Sequence, residues 1–335
     1  MNTQSDAAHP LDLARGTKGK GWLEVGQSPG GRPLGIPWMA IRGNEDGPTL
    51  TVNCAIHGDE YEGGEAIRQL WRELDPATLA GAWIGVPVVN IAAYDAAQRN
   101  SPLDNVNMNR IFPGDSTASI SGMVAQRFFH DIVRHSNAVI DFHAGGSPLS
   151  IVPIVAFSGG DSPQSAKSRE LAVQAGVDLL WEMPTIWGGS IVLVATEAGI
   201  PTITPEIGND GRIGDEYIQI SRQIITNVMA FLGMQEGRPM LPPRQRVVRG
   251  SYVYSRKGGL FRSTVPLGAE VEEGQVVATI RNVFGDVVEE IAAPRPGVIC
   301  SYRTIPPILP GDQTTFVGQV IDVIEHEPSG GRSAM

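Results

Sequence analysis

The chain has 335 residues, 41% hydrophobic and 19% charged, with a formal net charge of −10. That is the composition of a globular protein with room for a large core and two domains. No basic stripe is present, which argues against a nucleic-acid partner, and no apolar run reaches membrane-spanning length. The two cysteines, Cys54 and Cys300, lie in opposite halves and make no disulfide framework. The N-terminus lacks a basic-then-apolar signal pattern, so a cytoplasmic protein that contacts no membrane is expected.

Residues 1–35 are read as an N-terminal extension whose first twenty or so residues, polar and glycine-rich, are poorly ordered. Residues 36–237 alternate short apolar runs with helical patterns. Leu50 to Ile56 predicts a strand, and Ile67, Leu70, Trp71 and Leu74 then recur at helical spacing. Trp83 to Asn90 predicts a strand that Pro87 places near an edge or a bend. Residues 117–135 are expected to be helical, with Val124, Phe128 and Ile132 on one face. Ala138 to Phe142 and Ile151 to Phe157 read as strands, 163–180 as a helix and Ile200 to Thr204 as a short strand leading to Glu206. Tyr217, Ile220, Ile224, Val228 and Phe231 line one face of a long helix. Strands separated by helices predict an α/β domain with a parallel or mixed sheet, whose ligands bind outside the carboxyl ends of the strands.

The proline-rich stretch 238–246 reads as a linker. Strand-like segments separated by glycine and proline turns then predict a small all-β domain over 247–325, and 326–335 reads as a disordered tail. The run Val265-Pro-Leu-Gly-Ala-Glu-Val-Glu-Glu-Gly274, with Ala293-Pro-Arg-Pro-Gly297, resembles a biotinyl/lipoyl-type barrel-sandwich domain. No lysine follows Lys257, so the modified lysine of those carriers is missing and a swinging-arm role is not expected.

The chemistry centres on Asn53-Cys-Ala-Ile-His-Gly-Asp-Glu-Tyr-Glu-Gly-Gly64. An apolar strand ends in His57, a carboxylate follows at Glu60, and a helix begins. Two ligands at a strand end, with a third arriving from elsewhere, is a common zinc arrangement. A His-x-x-Glu pair alone is weak evidence, and Asp59, Glu62 and Glu65 are nearby alternatives. Glu60 is preferred because its spacing lets it converge with His57 from one turn. His143 ends a second strand beside Gly145 and Gly146. Two histidines and one carboxylate leave a zinc position open, which marks a catalytic site rather than a structural one. Glu206 ends a third strand, where a carboxylate near the metal can act as general base. Arg99 and Arg110 offer guanidinium groups for a carboxylate or a developing oxyanion. Cys54 reads as a small buried hydrophobe. His130 and His135 read as solvated or structural, and His9 and His326 lie in expected tails.

Taken together, His57-Gly-Asp-Glu60, Asn109-Arg110 within Asn-Met-Asn-Arg-Ile-Phe-Pro-Gly114, Asp141-Phe-His143 and Glu206-Ile-Gly208 resemble the succinylglutamate desuccinylase/aspartoacylase family of the zinc carboxypeptidase-like clan. The resemblance covers residues 36 to 232. It implies a zinc carboxypeptidase-like mixed sheet flanked by helices and followed by a small β-domain. One zinc ion would be held by His57, Glu60 and His143, with Glu206 as general base. Asn109 and Arg110 would bind a substrate carboxylate, and Arg99 would stabilise the oxyanion. Tyr217 and Tyr252 are candidates for the clan's substrate-side tyrosine. The expected activity is hydrolysis of the acyl amide of a small anionic N-acyl amino acid, and a homo-oligomer is implied by the family alone. Two alternatives remain: a zinc carboxypeptidase acting on peptides, and a non-enzymatic metal-binding assembly module.

Overall fold

A computed structural model describes residues 4–5, 7–184 and 188–327. In chain order, β1 (Gln4–Ser5), β2 (Thr17–Gln27), β3 (Pro33–Arg42) and β4 (Glu45–Cys54) precede α1 (Glu62–Glu73) and β5 (Ala80–Val86). The short α2 (Ile91–Asp95) and α3 (Ile120–Asp131) lead to β6 (Ala138–Phe142), β7 (Leu149–Ile151) and β8 (Ile154–Ser158). Next come α4 (Pro163–Gln174), β9 (Leu179–Met183), α5 (Ile191–Glu197), β10 (Thr202–Glu206) and α6 (Asp215–Phe231). The remainder is all strand: β11 (Arg244–Tyr254), β12 (Gly259–Ser263), β13 (Glu270–Val271), β14 (Val276–Arg281), β15 (Val287–Ala292), β16 (Gly297–Arg303), β17 (Pro307–Ile308) and β18 (Gln313–Glu325).

The main sheet runs β1-β2-β3-β5-β4-β6-β10-β8-β9-β11-β18-β16-β13 and is mixed. At its centre β4, β5, β6 and β10 are parallel neighbours, whereas β8 runs antiparallel to β10. The sheet is packed on both faces, as a largely parallel sheet requires. Ile67 and Leu70 of α1, Leu171 of α4 and Ile224 and Val228 of α6 fill one side. Phe128 of α3 and Ile191 and Ala195 of α5 fill the other. The α1 face comes so close to β6 that a Cβ on Gly63 would lie 2.4 Å from that of Phe142, so only glycine fits there. The mixed α/β sheet flanked by helices, with a trailing β-rich region, is the architecture expected. Among the described residues, no helix is long and apolar enough to cross a membrane.

Several local expectations differ from the structure. The N-terminal extension is not detached: β2 pairs with β3 over residues 17–27 and 33–42 and so joins the main sheet. Lys18 within it donates to the carbonyls of Trp71, Arg72 and Leu74, satisfying the open end of α1. The strand expected to run to Asn90 stops at Val86 and is interior, between β3 and β4; Pro87 ends it because proline cannot donate to the ladder. The helix expected over 163–180 stops at Gln174, and β9 follows. Gly176, at φ +81°, makes the break that an L side chain resists. β11 starts at Arg244, inside the stretch read as a linker, and pairs in parallel with β9. The main sheet therefore continues into the C-terminal region, and β15-β14-β12-β17 form a separate four-stranded sheet. His326, placed in the tail, hydrogen-bonds Gln245 at 2.8 Å; residues 328–335 lie outside the described residues.

Candidate metal centre

Three adjacent parallel strands deliver the centre. The segment after β4 carries His57 and Glu60, the residue after β6 is His143, and β10 ends at Glu206. His143 and Glu206 continue the parallel ladder as an isolated bridge. The turn into the motif is tight: Ala55 has φ +55°, and the Asn90 side chain donates to the Ile56 carbonyl at 3.3 Å. A Cβ on Gly58 would lie 2.0 Å from the Ala93 backbone, and the Gly58 amide donates to the Gln98 carbonyl at 3.0 Å. Glycine at 58 thus lets the loop bearing Arg99 lie directly on the motif.

His57, Glu60 and His143 converge as the sequence spacing implied, and each is at most 4% exposed. Their ligand atoms all lie within 4.8 Å of one another. The two Nδ1 atoms face each other at 3.1 Å. Glu60 Oε1 lies 2.9 Å from His57 Nδ1 and Glu60 Oε2 2.7 Å from His143 Nδ1.

Outer partners hold the Nε2 side of both rings. His57 Nε2 donates to Asn107 Oδ1 at 3.1 Å and His143 Nε2 to Asp141 Oδ2 at 3.0 Å. Those oxygens accept only, so each Nε2 is kept as an N–H donor and Nδ1 is the nitrogen left to offer a lone pair to a metal. Asp141 is itself fixed by Asn53, whose Nδ2 donates to Oδ1 at 2.6 Å. Two inward Nδ1 atoms and a carboxylate, buried together, could hold a cation, and the donor set fits a zinc ion.

Asn107 and Asp141 stand inside two of the motifs that carry the family resemblance, but neither was given a role. Asp141 had a usable signal, because residues two apart on a strand share a face. Asn107 had none, since it meets His57 across fifty positions.

The electrostatics reflect the crowding. Burial lowers the pKa of His57. Burial also opposes a charge on His143, but Asp141 and Glu60 outweigh it and raise its pKa well above the usual imidazole value. Glu60 is pulled below the carboxylate range by the two imidazoles, against the opposing effect of burial. The Glu206 side chain keeps some solvent access, yet the surrounding protein atoms push its pKa up to about 7, with the Glu60 charge adding to the rise and that of His143 opposing it.

The remaining predicted residues gather around this core. Arg99 donates to Glu60 Oε1 at 3.2 Å. Asn109 Oδ1 accepts from the Ile191 amide at the start of α5 (3.0 Å), and its Nδ2 lies 3.3 Å from His143 Nε2. Arg110 donates to its neighbour's carbonyl at 2.6 Å. Burial, followed by the Arg99 charge, lowers its pKa below the ordinary guanidinium value. Of the two tyrosines, Tyr252 of β11 lies within electrostatic reach of Glu206 and Arg99, and burial pushes its pKa up. Tyr217 is instead engaged by Asn209 at 2.6 Å. Cys54 is buried, as expected, and donates weakly to the Glu60 carbonyl at 3.5 Å.

The fold is a mixed α/β sheet with a metal-competent centre at its strand ends, as in a hydrolytic family of known proteins. The family model for the succinylglutamate desuccinylase/aspartoacylase catalytic domain matches residues 46–232, and the chain belongs to that family. It is similar to the N-alpha-acetyl-L-2,4-diaminobutyric acid deacetylase of Halomonas elongata, at 31% identity over 86% of each chain. Among solved structures it is similar to the product-bound ectoine utilization protein EutE of Ruegeria pomeroyi. That match has a TM-score of 0.86 and 27% identity, over 93% of this chain and 97% of that one. A succinylglutamate desuccinylase/aspartoacylase from Rhodobacter sphaeroides matches with a TM-score of 0.84 and 26% identity, over 93% and 98% of the two chains.

Proposed function

We propose that this protein is a zinc-dependent deacylase. It hydrolyses the amide of a small N-acylated amino acid, with Nα-acetyl-2,4-diaminobutyrate as the first candidate because a 31% identical relative is named for that deacetylation. The observation that carries the reading is the buried His57, Glu60 and His143 donor set with a partly accessible, pKa-raised Glu206 on the adjoining strand. One zinc per chain would be held by those three side chains. When bound, zinc supplies Lewis acidity and makes water acidic enough to react near neutral pH.

The chain's own residues do the rest. Arg110 and the Asn109 amide anchor the substrate carboxylate, and Asn109 is held for that task by the Ile191 amide. Two neighbouring guanidiniums, Arg99 and Arg110, make a local positive field in a chain of net charge −10, which favours a substrate carboxylate. Glu206, whose pKa burial raises to about 7 in the metal-free protein, takes a proton from the attacking water and returns one to the leaving amine. Arg99, fixed at Glu60, stabilises the oxyanion. Tyr252 adds a hydroxyl from the C-terminal strands.

The test is a hydrolysis screen of metal-stripped and zinc-restored protein across acetyl, succinyl and longer N-acyl amino acids, with short peptides alongside. Zinc-dependent release of acyl groups from N-acyl amino acids is expected. Release of C-terminal residues from peptides, without action on N-acyl amino acids, would replace this reading with a carboxypeptidase. Inertness towards both would point to a binding module.

A further inference from the structure

Two further carboxylates of the motif, Asp59 and Glu62, are 3% and 2% exposed. Neither belongs to the metal-competent set. Burying a carboxylate is costly unless it is well hydrogen-bonded, so each invites a specific account.

Their neighbours supply one. Asp59 Oδ2 accepts from the Ser147 amide at 2.8 Å. Gly146, in the left-handed region at φ +56°, lies so close that an added Cβ would sit 2.8 Å from the same oxygen. Asp59 therefore braces the loop that immediately follows His143. Glu62 lies against the loop that follows Glu206. Gly208, at φ +122°, packs on its carboxylate so tightly that a Cβ would lie 2.3 Å from Oε1. Glu62 Oε2 accepts from the Tyr61 amide at 3.3 Å, and the Asn209 amide also acts on this carboxylate. The two loops are joined as well: Gly145 donates to the Gly208 carbonyl at 3.1 Å, Gly211 to the Gly146 carbonyl at 2.8 Å and Ile207 to the His143 carbonyl at 2.9 Å.

We propose that Asp59 and Glu62 are positioning residues, Asp59 holding the His143 loop and Glu62 the Glu206 loop. The segment 57–62 then carries ligands at 57 and 60 and tethers at 59 and 62. One short piece of chain so sets the third ligand and the general base, which arrive from distant parts of the sequence. Asp59 acts on metal retention and Glu62 on turnover; each works as an acceptor of backbone N–H groups, with its reach mattering more than its charge.

The turnover arm rests on the deacylase reading, whereas the metal arm needs no substrate, so the two can fail separately. Zinc dissociation constants are measured by chelator competition, and kcat and KM at saturating zinc, for Asp59→Ala, Asp59→Asn, Glu62→Ala, Glu62→Gln and Glu62→Asp. For Asp59→Ala the zinc dissociation constant should rise about tenfold or more, as for lost outer-shell partners, and Asp59→Asn should recover most of the loss. Glu62→Ala should keep zinc affinity within about threefold of wild type while kcat falls on the order of tenfold to a hundredfold, the scale of a misplaced catalytic group. Glu62→Gln should recover most of that rate, and Glu62→Asp, one methylene short, should not. Unchanged zinc retention in Asp59→Ala overturns the role of Asp59. An unchanged kcat in Glu62→Ala or Glu62→Asp, or a Glu62→Gln as impaired as the alanine variant, overturns the role of Glu62. If the alanine variants do not fold, a rise of about tenfold in the zinc dissociation constant of Asp59→Asn overturns the acceptor role of Asp59, and equal kcat values for Glu62→Gln and Glu62→Asp overturn that of Glu62.

Discussion

Replacing Asn107 by alanine removes one oxygen that serves two donors. In the native protein Asn107 Oδ1 accepts from His57 Nε2 at 3.1 Å and from the Asn109 amide at 3.0 Å. The His57 side chain is 3% exposed, so water does not readily take over as acceptor. A buried donor left unpaired costs about 1–3 kcal/mol. The imidazole avoids that cost by moving its proton to Nδ1, where Glu60 Oε1 waits at 2.9 Å, and in that tautomer His57 has no lone pair for the metal. Zinc binding must then reverse the shift, so the cost reappears as lost affinity. Loss of an outer-shell partner of this kind typically weakens metal binding about 10- to 100-fold, or about 1.4–3 kcal/mol, which agrees with the hydrogen-bond figure. Chelator competition on Asn107→Ala should therefore give a zinc dissociation constant one to two decades above wild type. Asn107→Asp, which keeps an acceptor in place, should bind zinc at least as tightly as wild type. An alanine variant that retains zinc within twofold would refute the tautomer argument, because the ring would then hold its orientation without Asn107.

Glu206→Gln should keep zinc and fold normally yet lose on the order of a hundredfold or more in kcat; near-normal turnover would remove Glu206 from the mechanism. His57→Ala should lose zinc, and full occupancy by metal analysis would overturn its assignment as a ligand. Arg110→Ala should raise KM for carboxylate substrates by at least tenfold with a smaller effect on kcat, the pattern of lost uniform binding; equal KM on acid and amide forms of the substrate would contradict the anchor. In the metal-stripped protein, burial raises the Glu62 pKa from 4.5 to about 7. A raised carboxyl group leaves stability intact below about pH 4.5 and removes it as the pH climbs through 7. At about 1.4 kcal/mol per unit the loss is at most about 3.5 kcal/mol. Glu62→Gln should therefore be more stable than wild type at pH 8 and nearly equal at pH 4.5, with Glu206 keeping part of the slope in both proteins. Parallel stability curves for the two proteins over that range would rule this out.

Periodicity and local chemistry in the chain were enough to identify the strand expected over Leu50 to Ile56, which the structure ends at Cys54, the helix after it, the strand Ala138–Phe142 and the long α6 face. They also marked His57, Glu60, His143 and Glu206, because each strand-end residue sits beside glycines and a change of period. These are short-range signals, carried by residues within one turn or one strand of each other. What the chain could not announce locally was who meets whom. Pairing of β2 with β3 and of β9 with β11 depends on partners far along the sequence, so an extension and a linker were expected where the sheet continues. Asn107 hydrogen-bonds His57 from fifty residues away, and Tyr252 comes within electrostatic reach of Glu206 from the C-terminal strands. Asp59 and Glu62 looked like spare carboxylates until the fold laid the His143 and Glu206 loops against them. The sequence by itself picked out the candidate metal donors and the class of sheet that carries them. The tertiary structure alone decided their outer hydrogen-bond partners, the direction of their pKa shifts and the loops packed on them, because those depend on burial and on contacts that form only when distant segments pack.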